Sequence, residues 1–260
     1  MIKLIATDMD GTLLDENGEM PKEFYKVFQD MVDKDIKFAV ASGRQYHQLK
    51  YSFRELNHDI IYIAENGTIV MYEGEELYAN VIDKSYVSEI IEDVKPIKEA
   101  YLVLCGKKSA YTTTDREDIL KEMHRYYHEL KVVEDLHKVE DDILKTAILD
   151  LRGSEDNINK ILYPKWSDRL KVTVSSFEWL DIYNKDANKG EAVKLIQKKF
   201  NIEEIETAIF GDYFNDVEML SAGYYSYAME NAPEGVKKHA RFIAKSNKEN
   251  GVLEKIKELI

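Results

Sequence analysis

The stretch "IATDMDGTLLDENGE", Ile5 to Glu19, puts two carboxylates, Asp8 and Asp10, directly after the apolar run "IKLIA". Charge at the end of a buried strand asks for a reason. Three readings compete: a calcium loop, a solvated turn, and the reacting centre of an enzyme. Asp8, Asp10 and Glu19 stand where a twelve-residue calcium loop has its first, third and last ligands. The glycine that such a loop needs at its sixth position is Leu13, its fifth position is Thr12, and a strand rather than a helix precedes it. A solvated turn is the stronger rival, because "DG" is a common turn dipeptide and Asp is common where strands end.

Outward from this stretch, strand-like and helix-like runs alternate. "KLIA" at Lys3 and "KFAVA" at Lys37 read as buried strands. Between them Phe24, Val27, Phe28, Met31 and Val32 fall at helical spacing, and Pro21 suits a first helical turn. Strand–helix–strand order favours a parallel sheet. "IIYIAENGTIVMYEGEELYANVI" reads as a strand and then a hairpin, with turns at "NG" and "EGEE". From Asp83 the rhythm changes. "SYVSEIIEDV" and "DREDILKEMHRYYHEL" read as helices, and "AYLVLC", "SAYTTT", "KTAILDL", "LKVTVSS" and "WLDIYN" as strands. The expectation is an α/β protein with a Rossmann-like parallel-sheet core, residues 1–82 and 187–260, and an inserted α+β module, residues 83–186. "NKGEAVKLIQKKF" and "IETAIF" resume the alternation, and "NGVLEKIKELI" reads as a terminal amphipathic helix docked on the core.

The 260 residues suffice for two domains. A formal net charge of -13 repels phosphate backbones and argues against nucleic acid as a partner. No apolar run reaches the roughly 18 residues of a membrane span. The start "MIKLIATDMD" lacks a signal-peptide layout, and a lone Cys105 permits no intrachain disulfide; both point to the cytoplasm.

In parallel α/β sheets the carboxyl ends of the strands face one crevice, where ligands bind. Asp8 and Asp10 follow one strand, Ser42 in "ASGR" a second, and Asp212 and Asp216 in "GDYFND" a third. Lys189, at the start of a predicted helix, either leans over the same rim or is an ordinary solvated lysine.

These residues resemble the four motifs of the haloacid dehalogenase superfamily of phosphotransferases, in order: "DMDGT", "ASGR", "NKG" and "GDYFND". A module inserted between the second and third motifs, and the tail "AMENAPEGVKKHARFIAKSNKENGV", resemble the Cof-type sugar-phosphatase branch with its α/β cap. The resemblance implies a phosphatase that hydrolyses small phosphorylated metabolites, sugar phosphates above all, through an aspartyl-phosphate. It implies Asp8 as nucleophile, Asp10 as proton shuttle, and Lys189 paired with Asp8 and the phosphoryl group. Hard oxygen donors suit Mg²⁺. Asp8 and Asp212 would supply carboxylates to it, Asp10 its main-chain carbonyl, and Asp216 would hold the metal's waters. Ser42, Gly43 and Asn215 would bind the phosphoryl group. Arg44 would either bind substrate or support its loop. Neighbouring carboxylates are expected to raise the pKa of Asp10, as an acid's role requires. The cap would close over the core and select the substrate, with Ser175, Ser176 and Glu178 as candidate contacts or else plain strand and turn residues.

Two positions depart from the branch. Tyr213 stands where Asn is usual, which bears on a supporting or substrate contact, and Glu230 replaces the glycine of "AMGNA", with strain expected if that turn needs positive φ. His124 and His128, four apart on a predicted helix, have a zinc-like spacing but neither the glutamate nor a third ligand. A phosphosugar mutase and a non-catalytic phosphometabolite-binding regulator are the alternatives.

Overall fold

The computed structural model describes residues 1–56 and 58–260. The chain forms two compact units: unit 1 is Met1–Tyr78 with Asn188–Ile260, and unit 2 is Ala79–Ala187. The strands are β1 (Leu4–Asp8), β2 (Lys37–Ala41), β3 (Ile61–Ala64), β4 (Ile69–Tyr72), β5 (Glu75–Ala79), β6 (Ala100–Gly106), β7 (Ala110–Thr112), β8 (Leu130–Val132), β9 (Ile143–Asp150), β10 (Lys171–Val174), β11 (Trp179–Tyr183), β12 (Thr207–Gly211), β13 (Tyr225–Met229) and β14 (Phe242–Ala244). The α-helices are α1 (Phe24–Asp33), α2 (Tyr46–Ser52), α3 (Lys84–Val94), α4 (Glu117–Met123), α5 (Ile158–Trp166), α6 (Lys189–Phe200), α7 (Val217–Leu220), α8 (Glu234–Lys237) and α9 (Gly251–Leu259).

The sheet of unit 1 has the order β14-β13-β12-β1-β2-β3-β4-β5. It is parallel from β14 to β3, and β4 runs antiparallel to β3. β1 and β12 are buried along their whole length, as strands covered on both faces must be. One face carries Ala6, Ala39 and Ala41, whose small side chains leave room for Val193 and Ile196 of α6. The other face carries Phe38, which meets Phe24 and Phe28 of α1 at ring-centroid distances of 5.5 and 5.7 Å. Burial of each such side chain contributes about 1.5–3 kcal/mol. The hairpin expected at "EGEE" turns on Glu73 (φ 53) and Gly74 (φ 80), the paired left-handed residues of a tight hairpin turn.

In unit 2 the sheet order is β10-β11-β9-β6-β7-β8. Its pairs are antiparallel except β7 with β8. α3 and α5 supply Val87, Ile90, Ile158, Leu162 and Trp166 to one apolar cluster with the sheet. α4 supplies Ile119 and Met123 to a second. The buried Trp166 donates its indole N–H to Asp93 (2.9 Å).

Two sequence expectations change, and one helix lacks a sequence signal. Pro21 lies before α1, in a turn where its carbonyl accepts the Phe24 amide at 2.9 Å. The helix expected over 115–130 ends at Met123, because Leu130–Val132 pairs as β8 and Tyr127 is drawn in against Trp179. Long-range pairing overrides helical pattern there. α2 went unread because Leu49 is its only buried residue, so it has no apolar stripe. Among the described residues no helix is long and apolar enough to cross a membrane.

Candidate active site

β1 ends at Asp8, and the chain then turns sharply. Asp10 (φ -79, ψ 118) and Gly11 (φ 81, ψ -4) have the dihedrals of the two central residues of a type II turn, which favours glycine at the second. Space makes the same demand. A Cβ on Gly11 would stand 2.4 Å from Asp212 Oδ2. Thr12 donates its hydroxyl to Asp212 Oδ1 (2.9 Å), so the turn after β1 orients a carboxylate at the end of β12. Asn231 donates to the Gly11 carbonyl (2.8 Å), and Asn247 donates to the Leu14 carbonyl (2.9 Å). Asp15 accepts the amides of Asn17 and Glu19 (2.8 and 2.9 Å), which closes the rest of the stretch as a small self-capped loop.

Lys189 opens α6, with Asn188 as N-cap accepting the Glu191 amide. Its ammonium is fully buried and donates to Asp8 Oδ1 (2.5 Å) and to Asp216 Oδ1 (2.7 Å). The solvated-lysine alternative is therefore excluded. Burial alone would pull the lysine pKa down; the charges of Asp216 and Asp8, with hydrogen bonds to both, outweigh it, and the pKa rises above its ordinary value. Burial drives the Asp8 carboxyl well above the carboxylate range, and repulsion from Asp216 and Asp212 adds to that against the opposing pull of Lys189. Asp212 is pushed up to about 6, first by burial and then by Asp216. Asp216 spends its second oxygen on the amides of Asp212 and Tyr213, both at 3.0 Å. Ligand oxygens of Asp8, Asp212 and Asp216 all lie within 4.8 Å of one another. Three carboxylates thus share one cation of the chain, an arrangement that a further cation would relieve.

Asp10 lies outside this group of three, though its charge still reaches Asp212. Arg44 grips Asp10 with two hydrogen bonds, Nε to Oδ2 at 2.9 Å and Nη2 to Oδ1 at 2.6 Å. The hydrogen-bond partner of the Asp10 carboxyl is a guanidinium, while Asp212, one of the carboxylates expected beside it, is near enough to feel its charge. The Arg44 amide donates to Ser42 Oγ (3.2 Å). Ser42 in turn accepts the Asn66 amide on its carbonyl (3.0 Å), and Asn66 Oδ1 accepts from Asn215 (3.3 Å). A Cβ on Gly43 would lie 3.1 Å from Asn66 Oδ1. Asp8, Lys189, Asp212 and Asp216 therefore form one group. Asp10, Ser42, Gly43, Arg44 and Asn215 form a chain of contacts beside it, joined through Asn66.

Sequence reasoning missed Thr12, Asn66 and Asn231. Thr12 stands inside the quoted motif and its hydroxyl was the available signal. Asn66 was read as a hairpin residue; its left-handed φ of 59 fits that "NG" pattern, and only the tertiary contacts reveal its neighbours. Asn231 follows Glu230, which is not among the positive-φ residues and donates its amide to the Ala244 carbonyl (2.9 Å), so the strain expected there is absent. Tyr213 works through its main chain, and its ring is 57% exposed beside Phe214. His124 lies just past the end of α4, so His124 and His128 share no helix, and neither belongs to the acidic cluster. In unit 2, Ser175, Ser176 and Glu178 belong to the turn between β10 and β11. Ser175 donates to the Trp179 carbonyl (3.3 Å), and the carbonyls of Ser176 and Glu178 accept from Ser154 (2.9 Å) and Asp150 (2.8 Å).

A parallel sheet whose strand ends carry this acidic cluster defines a class of phosphoryl-handling hydrolases. The chain matches the haloacid dehalogenase-like hydrolase family over residues 5–256 and belongs to it. It is similar to the 5-amino-6-(5-phospho-D-ribitylamino)uracil phosphatase YbjI of Escherichia coli (strain K12), 33% identical over 261 residues, covering 100% of this chain and 96% of the relative. It is 27% identical to the phosphatase YwpJ of Bacillus subtilis (strain 168), covering 100% of both chains. The crystal structure of TM0651 from Thermotoga maritima superposes with a TM-score of 0.89 at 26% identity, covering 99% of this chain and 97% of that one. The protein is a phosphoric monoester hydrolase.

Proposed function

We propose that the protein is a Mg²⁺-dependent phosphatase of small phosphorylated metabolites, sugar phosphates among them, working through a phosphoryl group carried on Asp8. The observation that supports this most directly is the contact of Asp8 with Lys189 inside the acidic cluster. An all-oxygen donor set with surplus negative charge fits Mg²⁺. Asp8, Asp212 and the Asp10 carbonyl would hold the ion, and Asp216 would orient its waters. When bound, the ion supplies positive charge to the cluster and to the phosphoryl oxygens.

The chain's own residues account for the steps. An oxygen of Asp8 attacks phosphorus in line, and the bond from phosphorus to the ester oxygen breaks. The Asp10 carboxyl gives its proton to that ester oxygen, so the product leaves as a neutral alcohol. Asp10 then takes a proton from the water that attacks phosphorus, and phosphate departs from Asp8. Ser42, Gly43 and Asn215 offer hydrogen bonds to the phosphoryl oxygens, and Lys189 balances their charge. The 83–186 insertion has the selection of the leaving alcohol in this reading. The 5-amino-6-(5-phospho-D-ribitylamino)uracil on which the Escherichia coli relative acts joins sugar phosphates as a candidate substrate. A cytoplasmic location belongs to the same reading, and the buried, unbridged Cys105 fits it.

The test is phosphate release from an aryl phosphate, with and without Mg²⁺, by the native protein and Asp8→Asn. Release is expected to need both the ion and Asp8. Metal-independent turnover, or full activity in the variant, overturns the assignment. A panel of phosphorylated metabolites then ranks substrates.

A further inference from the structure

We propose that Arg44 is a positioning residue for Asp10, serving departure of the leaving alcohol rather than binding of the phosphoryl group. This rests on the aspartyl-phosphate reading above. Arg44 presents its Nε and Nη2 edge to both oxygens of Asp10, at 2.9 and 2.6 Å. That edge is the fork by which a guanidinium grips a phosphoryl group bidentately, and Asp10 occupies it.

The other carboxylates are held elsewhere. Asp8 and Asp216 share Lys189, Asp216 also takes two amides, and Asp212 takes the Thr12 hydroxyl. Arg44 supplies both hydrogen bonds to the Asp10 carboxyl, whose side chain is 55% exposed. A side chain so open to solvent needs an anchor if it is to meet one particular ester oxygen. The main chain of the anchor is held on both sides: the Arg44 amide donates to Ser42 Oγ at 3.2 Å, and its carbonyl accepts the Glu65 amide at 3.0 Å. Arg44 thereby ties the acid's position to the segment proposed to hold the phosphoryl oxygens. The fork takes one lone pair from each Asp10 oxygen and leaves another, so the same carboxyl can still carry the transferred proton.

An acid matters most when the departing alcohol is a poor leaving group. The experiment therefore measures kcat/KM for a series from 4-nitrophenyl through phenyl to 4-methoxyphenyl phosphate. It compares the native protein, Arg44→Ala, Asp10→Asn and the double variant, all with Mg²⁺. kcat/KM reports the steps up to phosphorylation of Asp8, and the esters differ little in shape. Arg44→Ala is expected to lose no more than about 3-fold on the nitrophenyl ester and about 100-fold on the methoxyphenyl ester. The double variant is expected to be no worse than Asp10→Asn alone.

An equal loss on every ester, or losses that multiply in the double variant, overturns the proposal. A grip on phosphate would give the first result together with weaker inhibition by inorganic phosphate. If Arg44→Ala does not fold, Arg44→Lys keeps the charge, loses the fork and carries the same comparison. Failure of the underlying reading looks different: the native protein would release no phosphate from any ester, or Asp8→Asn would remain active.

Discussion

Replacing Lys189 by Met tests the electrostatic core of the site. Met keeps most of the volume, so the change removes a charge rather than opening a cavity. It strands Asp8 and Asp216, which are 6% and 0% exposed and contact the ammonium at 2.5 and 2.7 Å. Breaking a buried pair by removing one partner costs about 3–5 kcal/mol, since the remaining charge is left without compensation. The folded variant can escape part of this by binding a proton on Asp8, whose pKa burial already raises. A carboxyl with a raised folded pKa adds stability below its unfolded pKa and loses it as pH climbs through the folded value. The folded state binds more protons than the unfolded one, so stability falls with rising pH, by up to about 1.4 kcal/mol per pH unit. In EDTA the loss relative to the native protein should be about 3–5 kcal/mol at pH 8 and smaller at pH 6, because losing Lys189 raises the Asp8 pKa further than in the native protein. Urea unfolding followed by circular dichroism measures it. Trp166 and Trp179 are the chain's two tryptophans and both lie in unit 2, so their fluorescence reports that unit separately. An identical loss at both pH values, or none at pH 8, would refute the electrostatic account.

Three further outcomes follow from the same geometry. Asp8→Asn should abolish phosphate release yet raise metal-free stability at pH 8 by about 1 kcal/mol, because it removes one of three crowded carboxylates; a melting comparison in EDTA checks this. Mg²⁺ should raise the melting temperature more at pH 8 than at pH 5, since protons on Asp8 and on Asp212, whose pKa lies at about 6, compete with the ion at the lower pH. At 100 times its dissociation constant the ion should stabilise by about 2.7 kcal/mol, read by calorimetry. Gly11→Ala meets both a φ of 81 and a Cβ only 2.4 Å from Asp212 Oδ2. It should destabilise by at least about 1 kcal/mol and weaken Mg²⁺ binding about tenfold, measured by calorimetric titration.

Much of the architecture is legible in the amino-acid sequence. Full-length burial of β1 and β12 is what their continuous apolar runs required, and the α1 face that packs on Phe38 was marked by Phe24, Val27, Phe28 and Met31. Where a segment lacked such a stripe, as in α2, or had one that long-range pairing overruled, as around Leu130, local pattern was insufficient.

The site divides in the same way. Asp8, Asp10, Ser42, Asp212 and Asp216 are readable because strand ends in a parallel sheet converge, whereas Lys189, at the start of a helix, is marked out by its resemblance to the third motif. Residue type and strand-end position thus mark most of the charged side chains that assemble, but not Thr12, Asn66 or Asn231. Only the tertiary structure decided how they pair: Lys189 between Asp8 and Asp216, and Arg44 on Asp10. It also brought in Asn66 beside Ser42 and Asn215, and Asn231 beneath Gly11. The physical reason is range. Strand and helix follow from periodicities of two and 3.6 residues along the chain, whereas a hydrogen bond depends on distances between residues dozens to hundreds of positions apart.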